Sequence, residues 1–332
     1  MLTSNHSNFK SYTDMKSLIQ LILFSSTFLT YTLSAPDKKG AYATPEDAAK
    51  DPDFSIQGEY EGSYTKGNGT KSKVGIQVVA LGNGIFNAVG FEGGLPGNGW
   101  DLSERAQSEA KKADDGSVTF KKEEGGSSAV LKEEKLTIYS AEGKALGTLN
   151  RINRESSTMG LEAPKGAAKL FDGSSLDHWK PGARKTDDGL LMEGVNSARN
   201  DFKNFTLHIE FRLPYMPKAR GQGRGNSGMY LLGTEIQMLD SFGLSGASNE
   251  CGGLYKWKRP DENMCYPPLR WQTYDVEFQA ATTEKPPMMT VKHNGIVIHN
   301  KVQLRNKNSQ GNIHLQNHSN PVRYRNIWIV EN

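Results

Sequence analysis

Apolar and polar residues alternate in short runs along most of the chain. "VGIQVVAL" (74–81) alternates, "GNG" (82–84) interrupts it, and "IFNAVGF" (85–91) answers it. A period of two on both sides of a glycine turn predicts a β-hairpin. "SVTFKK", "SAVLKEE", "KLTIYS" and "ALGTLNRI" continue at turn-separated spacing, so residues 55–155 read as a small antiparallel β-domain. Small residues and a proline in "SSTMGLEAPKGAA" (156–168) mark a linker. From 169 to 332 the strand pattern resumes with "FTLHIEFRLP", "SGMYLLG", "TEIQMLD", "QTYDVEFQA", "MMTVKHNGIVIHN", "NIHLQNH" and "YRNIWIVE". Many strands without a convincing helix predict an all-β sandwich or jelly roll.

Composition adds little to that class and removes several functions. The 332 residues suggest two domains, and a net charge of +3 with acids and bases interspersed gives no sign of a nucleic-acid partner. Lys16 precedes an apolar stretch that ends in small residues near Ala35, the arrangement of a secretory signal peptide over residues 1–35. An uncleaved anchor is the rival reading. No other segment is apolar enough to cross a bilayer, so the expected mature protein is exported, with no membrane span after signal removal. Residues 36–54 read as a polar leader with at most a turn or two of helix at "PEDAAK". The two cysteines, Cys251 and Cys265, lie close in sequence, and export favours a disulfide closing a short loop. Two buried thiols are the alternative, and no His–Cys spacing completes a zinc site.

Seven ordered blocks narrow the reading of the second half. They are "LFDGSSLDHW" (170–179), "RGNSGMYL" (224–231), "EIQMLDSFG" (235–243), "NECGGLYK" (249–256), "WQTYDVEF" (271–278), "VKHNGIVIH" (291–299) and "IHLQNHSNPVRYRNIWIVE" (313–331). In this order they resemble the bacterial 3-keto-disaccharide hydrolase-like family, whose members are also described as 3-keto-glucoside 1,2-lyases and 3-keto-2-hydroxyglucal hydratases. The resemblance implies a concanavalin-like jelly roll acting on sugars already oxidised at C3. It does not extend to residues 55–155, whose role and protein partner stay open.

Within "EIQMLDS" (235–241), Glu235 and Gln237 share a face of the expected strand, whereas Asp240 joins them only through a β-bulge. The spacing E-x-Q-x-x-D resembles the E-x-D-x-x-E strand of family 16 glycoside hydrolases, with Gln237 and Asp240 departing from it. A 3-keto sugar favours elimination, because the ketone acidifies the proton on C2 and the C1 substituent lies β to the carbonyl. That chemistry needs a base, a proton donor and stabilisation of an enolate. Glu235 is the first choice for base or acid, with Asp240, Glu250 and His318 as further catalytic candidates. Arg224 and Lys256, like His318, could hold the developing charge. A divalent metal could do the same, although no cofactor is required and no spacing selects one.

The glycine-rich "ARGQGRGNSG" (219–228) leads into a strand and not a helix, which removes the phosphate-loop reading. It reads instead as a cleft rim carrying Arg220, Arg224 and Asn226. Tyr255 and Trp257, flanking Lys256 in the Cys251–Cys265 loop, are the aromatic candidates for a sugar face, and Arg325 falls in the last matched block. Bland readings accompany these: Asp240 as a turn residue, Glu250 as a loop ion pair, His314 as either surface or packed, and Arg325 as a surface cation. The function expected is cleavage of 3-keto-glycosides by elimination and hydration, against a non-catalytic lectin-like module.

Overall fold

The structure, a computed structural model, describes residues 40–121 and 126–332. The expected signal segment lies outside the described residues. Among them, no helix is long and apolar enough to cross a membrane.

The first half forms eight antiparallel strands, six of them on the alternating runs and two more, the first and the fourth, outside them. These are β1 (Gly58–Thr65), β2 (Lys71–Gly82), β3 (Ile85–Glu92), β4 (Ala106–Lys111), β5 (Val118–Lys121), β6 (Ser128–Lys132), β7 (Lys135–Tyr139) and β8 (Ala145–Ile152). Their order is β4-β3-β2-β1-β8-β7-β6-β5, and the two edges meet. Lys112 bridges Val118, and Ser108 Oγ donates to Lys121 O at 2.8 Å, which closes the meander into an up-and-down barrel. Asn83 (φ 58°) and Gly84 (φ 74°) make the tight β2–β3 turn, for which two left-handed residues in succession are needed. Tyr60, Ile76, Val78, Phe86, Leu131, Leu136 and Leu149 fill the interior.

The second half is a two-layer antiparallel sandwich of the jelly-roll kind. Its strands are β9 (Ala168–Phe171), β10 (Leu191–Met192), β11 (Val195–Asn196), β12 (Phe205–Arg212), β13 (Ser227–Leu231), β14 (Thr234–Met238), β15 (Trp271–Gln279), β16 (Met288–His293), β17 (Ile296–Gln303), β18 (Ile313–Leu315) and β19 (Arg323–Glu331). A larger sheet runs β10-β19-β12-β15-β16-β17, with β9 beside β19, and a four-stranded sheet runs β11-β18-β13-β14. Leu207, Ile209, Phe211, Tyr274 and Val276 from the larger sheet meet Met229, Leu231, Ile236, Met238 and Leu315 from the smaller one in a single core. Alternation then sends the intervening polar residues outward, on opposite sides of the sandwich.

Three sequence expectations change here. The leader is no loose tail over its described part. Thr44 caps a short helix, α1 (Pro45–Ala48), by accepting from Asp47 N at 3.1 Å, and Ala48 is fully buried. Tyr42 pairs with Tyr215 through the backbone, and Phe54 packs on the Tyr215 ring at 5.0 Å, so apolar side chains in a polar stretch pin it down. The linker is likewise strapped over the larger sheet. Thr158 Oγ1 donates to Asp275 Oδ2 at 2.7 Å, and Gly160 N donates to Glu210 Oε1 at 2.7 Å. Finally, Cys251 and Cys265 are free, buried thiols and form no disulfide. Each has other partners: Cys251 Sγ lies 3.3 Å from the Tyr274 hydroxyl, and Cys265 Sγ faces Leu239 O at 3.6 Å. Both behave as small core residues.

Candidate active site

The outer face of the four-stranded sheet collects the polar residues that alternation excludes from the core. Ile236 and Met238 of β14 point inward, so Glu235 and Gln237 point out. Strand pairing sets Asn196, His314, Tyr230 and Glu235 side by side across β11, β18, β13 and β14. Tyr255 continues that row, because its N–H donates to Glu235 O at 3.2 Å. The next row holds Gln316, Gly228 and Gln237.

Glu235 is half-buried in this face. A Cβ at position 228 would fall 2.3 Å from Glu235 Oε1, so the carboxylate occupies the space that only glycine leaves free. The Gln237 amide nitrogen, turned toward Ser227 O (2.8 Å) and Glu235 Oε1 (3.2 Å), donates to both. Burial pushes the Glu235 carboxyl above its ordinary value, and a hydrogen bond from Tyr230 offsets this only in part. Burial, together with the neighbouring carboxylate, raises the Tyr230 hydroxyl as well. The His314 ring lies 5.4 Å from that of Tyr230, and its Nδ1 is 3.0 Å from Val195 O. A carbonyl partner fixes the proton on Nδ1 and leaves Nε2 as an acceptor in the neutral ring. A carboxylate with raised proton affinity, a phenol and an imidazole thus share one surface, a set able to move protons at a bound molecule.

The other expected residues scatter. Asp240 is fully buried, and Arg224 Nε donates to its Oδ2 at 2.6 Å. The β13–β14 pairing ends at Ser227 and Met238, so Asp240 lies beyond the strand, where its N–H donates to Arg224 O at 3.2 Å and its side chain is buried on Arg224 and away from Glu235. Arg224 also donates to Ala80 O of the barrel at 3.3 Å, and Arg220 spends its guanidinium on Pro217 O (2.6 Å), Ala219 O (2.8 Å) and Leu81 O (2.8 Å). Both therefore bind the domains together and do not face the Glu235 surface. Glu250 Oε2 accepts from Gly246 N (2.6 Å) and Ala247 N (2.8 Å), which is a loop clasp. Asn226 is buried and donates to Gln222 O at 2.7 Å, and Gln222 in turn reaches Gln237 at 3.0 Å, so it supports the site from below. His318 is exposed and lines a hollow of about 530 Å³ with Asn317, Gly223 and Met216.

Tyr255 borders Glu235, and the Lys256 ammonium sits 5.3 Å from the Tyr255 ring. Trp257 turns away, packs on the sandwich core and carries Arg305 over its ring at 5.0 Å. Arg325 lies on the opposite side of the molecule. It donates to Glu210 Oε2 at 2.6 Å and covers Trp271 at 4.1 Å on the outer face of the larger sheet. Among the described residues, no cluster of three or more His, Cys, Asp or Glu converges as a metal site. Tyr230 and His314 were not singled out as reacting groups from the sequence. The signal was the parity of "SGMYLL" and "NIHLQ", which alternate core and surface positions as clearly as "EIQM" does.

This β-sandwich with an acid–phenol–imidazole face is that of a carbohydrate-active enzyme. Residues 166–330 match the 3-keto-alpha-glucoside-1,2-lyase-like domain, and the chain belongs to that family. Solved structures of three candidate glycosyl hydrolases from Parabacteroides distasonis are similar to it. One is 30% identical, with 51% of this chain and 85% of that chain covered at a TM-score of 0.47. A second is 18% identical over 50% and 94%, at 0.40, and a third 17% identical over 50% and 99%, at 0.39. No characterised protein in the curated set matches the chain. The barrel lies outside the matched residues.

Proposed function

We propose that the protein is an exported enzyme that cleaves 3-keto-glycosides by elimination and then hydration. The observation that carries this reading is the half-buried Glu235, held by Tyr230 and Gln237 with its carboxyl shifted upward. In the carboxylate form it serves as the base. It takes the proton from C2, which the adjacent ketone acidifies; the C1–O bond breaks, and the C1=C2 double bond forms. The departing oxygen takes a proton from an acid on the same face, for which the Tyr230 hydroxyl is the candidate, while His314 Nε2 can accept from a sugar hydroxyl. Water then adds its hydroxyl to C1 and its proton to C2, so the sum is hydrolysis. Tyr230 and Gln237 orient the carboxylate, and Asn196 and Gln316 offer hydrogen bonds to sugar hydroxyls. Export rests on the Lys16-led apolar segment ending near Ala35.

The decisive assay offers a 3-keto-disaccharide and its unoxidised parent to the purified protein. Consumption of the keto sugar alone is expected. Equal cleavage of both would replace elimination with ordinary glycosidase chemistry. Glu235→Gln should lower kcat by roughly 10²–10⁴-fold with KM little changed. Intact turnover in that variant removes the base assigned here.

A further inference from the structure

One end of the barrel holds a chamber. One half of the barrel interior is filled by Tyr60, Phe86, Leu136 and Leu149, all fully buried. In the other half the inward positions of β3 and β4 are small: Ala88 pairs with Ser108, and Gly90 with Ala106. The small residues leave a cavity of about 280 Å³ walled by Val74, Ile76, Ala88, Phe120, Ala129 and Ile138. That is about twice the volume of the ~150 Å³ apolar cavity that accepts benzene. At its rim stands a built polar group. Ser72 Oγ donates to Glu92 Oε1 at 2.5 Å, Tyr64 OH donates to Glu92 Oε2 at 3.2 Å, and Lys66 Nζ lies 2.6 Å from Glu92 Oε1. The Tyr64 oxygen, having given its proton to Glu92, keeps lone pairs for a donor from inside the chamber.

We propose that this barrel end is a binding site for a neutral aromatic molecule of two or three fused rings carrying one N–H or O–H donor. The rings fill the apolar half, and the donor meets the Tyr64–Glu92 rim. This site is separate from the Glu235 face and does not depend on the sugar chemistry. Closed barrels of eight strands are just wide enough to be packed shut, so a hollow in one arises only where small side chains line it. Here they do so on adjacent strands and at one end.

The test uses 1-aminoanthracene with the full chain, followed by fluorescence. Saturable, blue-shifted emission is expected at a stoichiometry of one. Ala129→Leu and Ala88→Leu fill the chamber and should each weaken binding at least tenfold; unchanged circular dichroism shows that each variant is folded. Leu102→Ser, at an exposed apolar residue (64% exposed), should leave binding intact. Emission that fails to saturate, survives both filled variants, or disappears with Leu102→Ser would overturn the proposal, since the dye would then be on the surface.

Discussion

At the scale of single residues, the chemistry turns on how the surroundings of Glu235 set its proton affinity. Burial raises it, and the Tyr230 hydrogen bond favours the charged form and so lowers it. Tyr230→Phe removes only the second influence, and the Glu235 carboxyl must rise further. A base works only when deprotonated, so the acid limb of kcat/KM should move to higher pH in this variant. A pH–rate profile of both proteins checks the direction; a limb that stays put or moves to lower pH contradicts the assignment of Glu235 as base. The pairing of Glu235 with Gln237 was legible in "EIQM" from parity alone. The fate of Asp240 was not, because strand pairing stops at Met238 and its buried partner Arg224 is brought to it by the fold.

At the scale of elements, the linker is the part that composition misdescribed. Its polar residues close over a cluster on the larger sheet, where His208 Nδ1 lies 2.6 Å from Asp275 Oδ1 and Arg325 and Asn326 both donate to Glu210. Burial alone would lower the His208 pKa, but its bond to Asp275 and the Glu210 carboxylate 3.7 Å from Nε2 raise it above the ordinary 6.5. Burial would raise Glu210, yet the nearby His208 ring and bonds from Asn326, Arg325 and Gly160 N bring it from 4.5 down to about 2. The two signs define a window. The contribution from His208 is complete below 6.5 and fades as pH rises through its higher folded value. That from Glu210 is present above 4.5 and is lost as pH falls toward about 2. The strap should therefore be tightest between pH 4.5 and 6.5. Thermal unfolding across pH should show stability declining on the alkaline side of that window, and His208→Asn should flatten the decline. Strand existence and facing were legible where apolar and polar positions alternate, because a period of two reports directly on burial, whereas β1 and β4 were not read as strands and β4, AQSEAK, carries no apolar alternation. Which sheet a strand joins was not, and this is why Arg325 and Glu235, both outward-facing, proved to lie on opposite sides.

At the scale of the whole molecule, barrel and sandwich are joined by several arginines, two of which, Arg220 and Arg224, the sequence reading placed at the rim of the sugar cleft. Arg224 reaches from Asp240 to Ala80 O, Arg220 to Leu81 O, and Arg105 Nη1 to Leu244 O at 2.8 Å. Glu59 is bound at 2.5 Å by Arg154, whose guanidinium also lies over Tyr266. A buried ion pair costs much desolvation to assemble, but removal of one partner strands the other charge. Asp240→Ala should therefore destabilise the protein by about 3–5 kcal/mol, whereas Asp240→Asn, which keeps the shape and an oxygen acceptor, should cost less. If the pair holds the two bodies as one, the wild type unfolds in a single calorimetric transition and Asp240→Ala splits it, the barrel and the sandwich melting apart. Turnover separates this joint from the chemistry. Below the melting temperature Asp240→Asn should keep kcat within a few-fold of wild type, since the side chain does not reach the face that carries Glu235. A loss in kcat as large as that of Glu235→Gln, with the melting transition unmoved, would return Asp240 to the catalytic site and leave the interface to the remaining arginines.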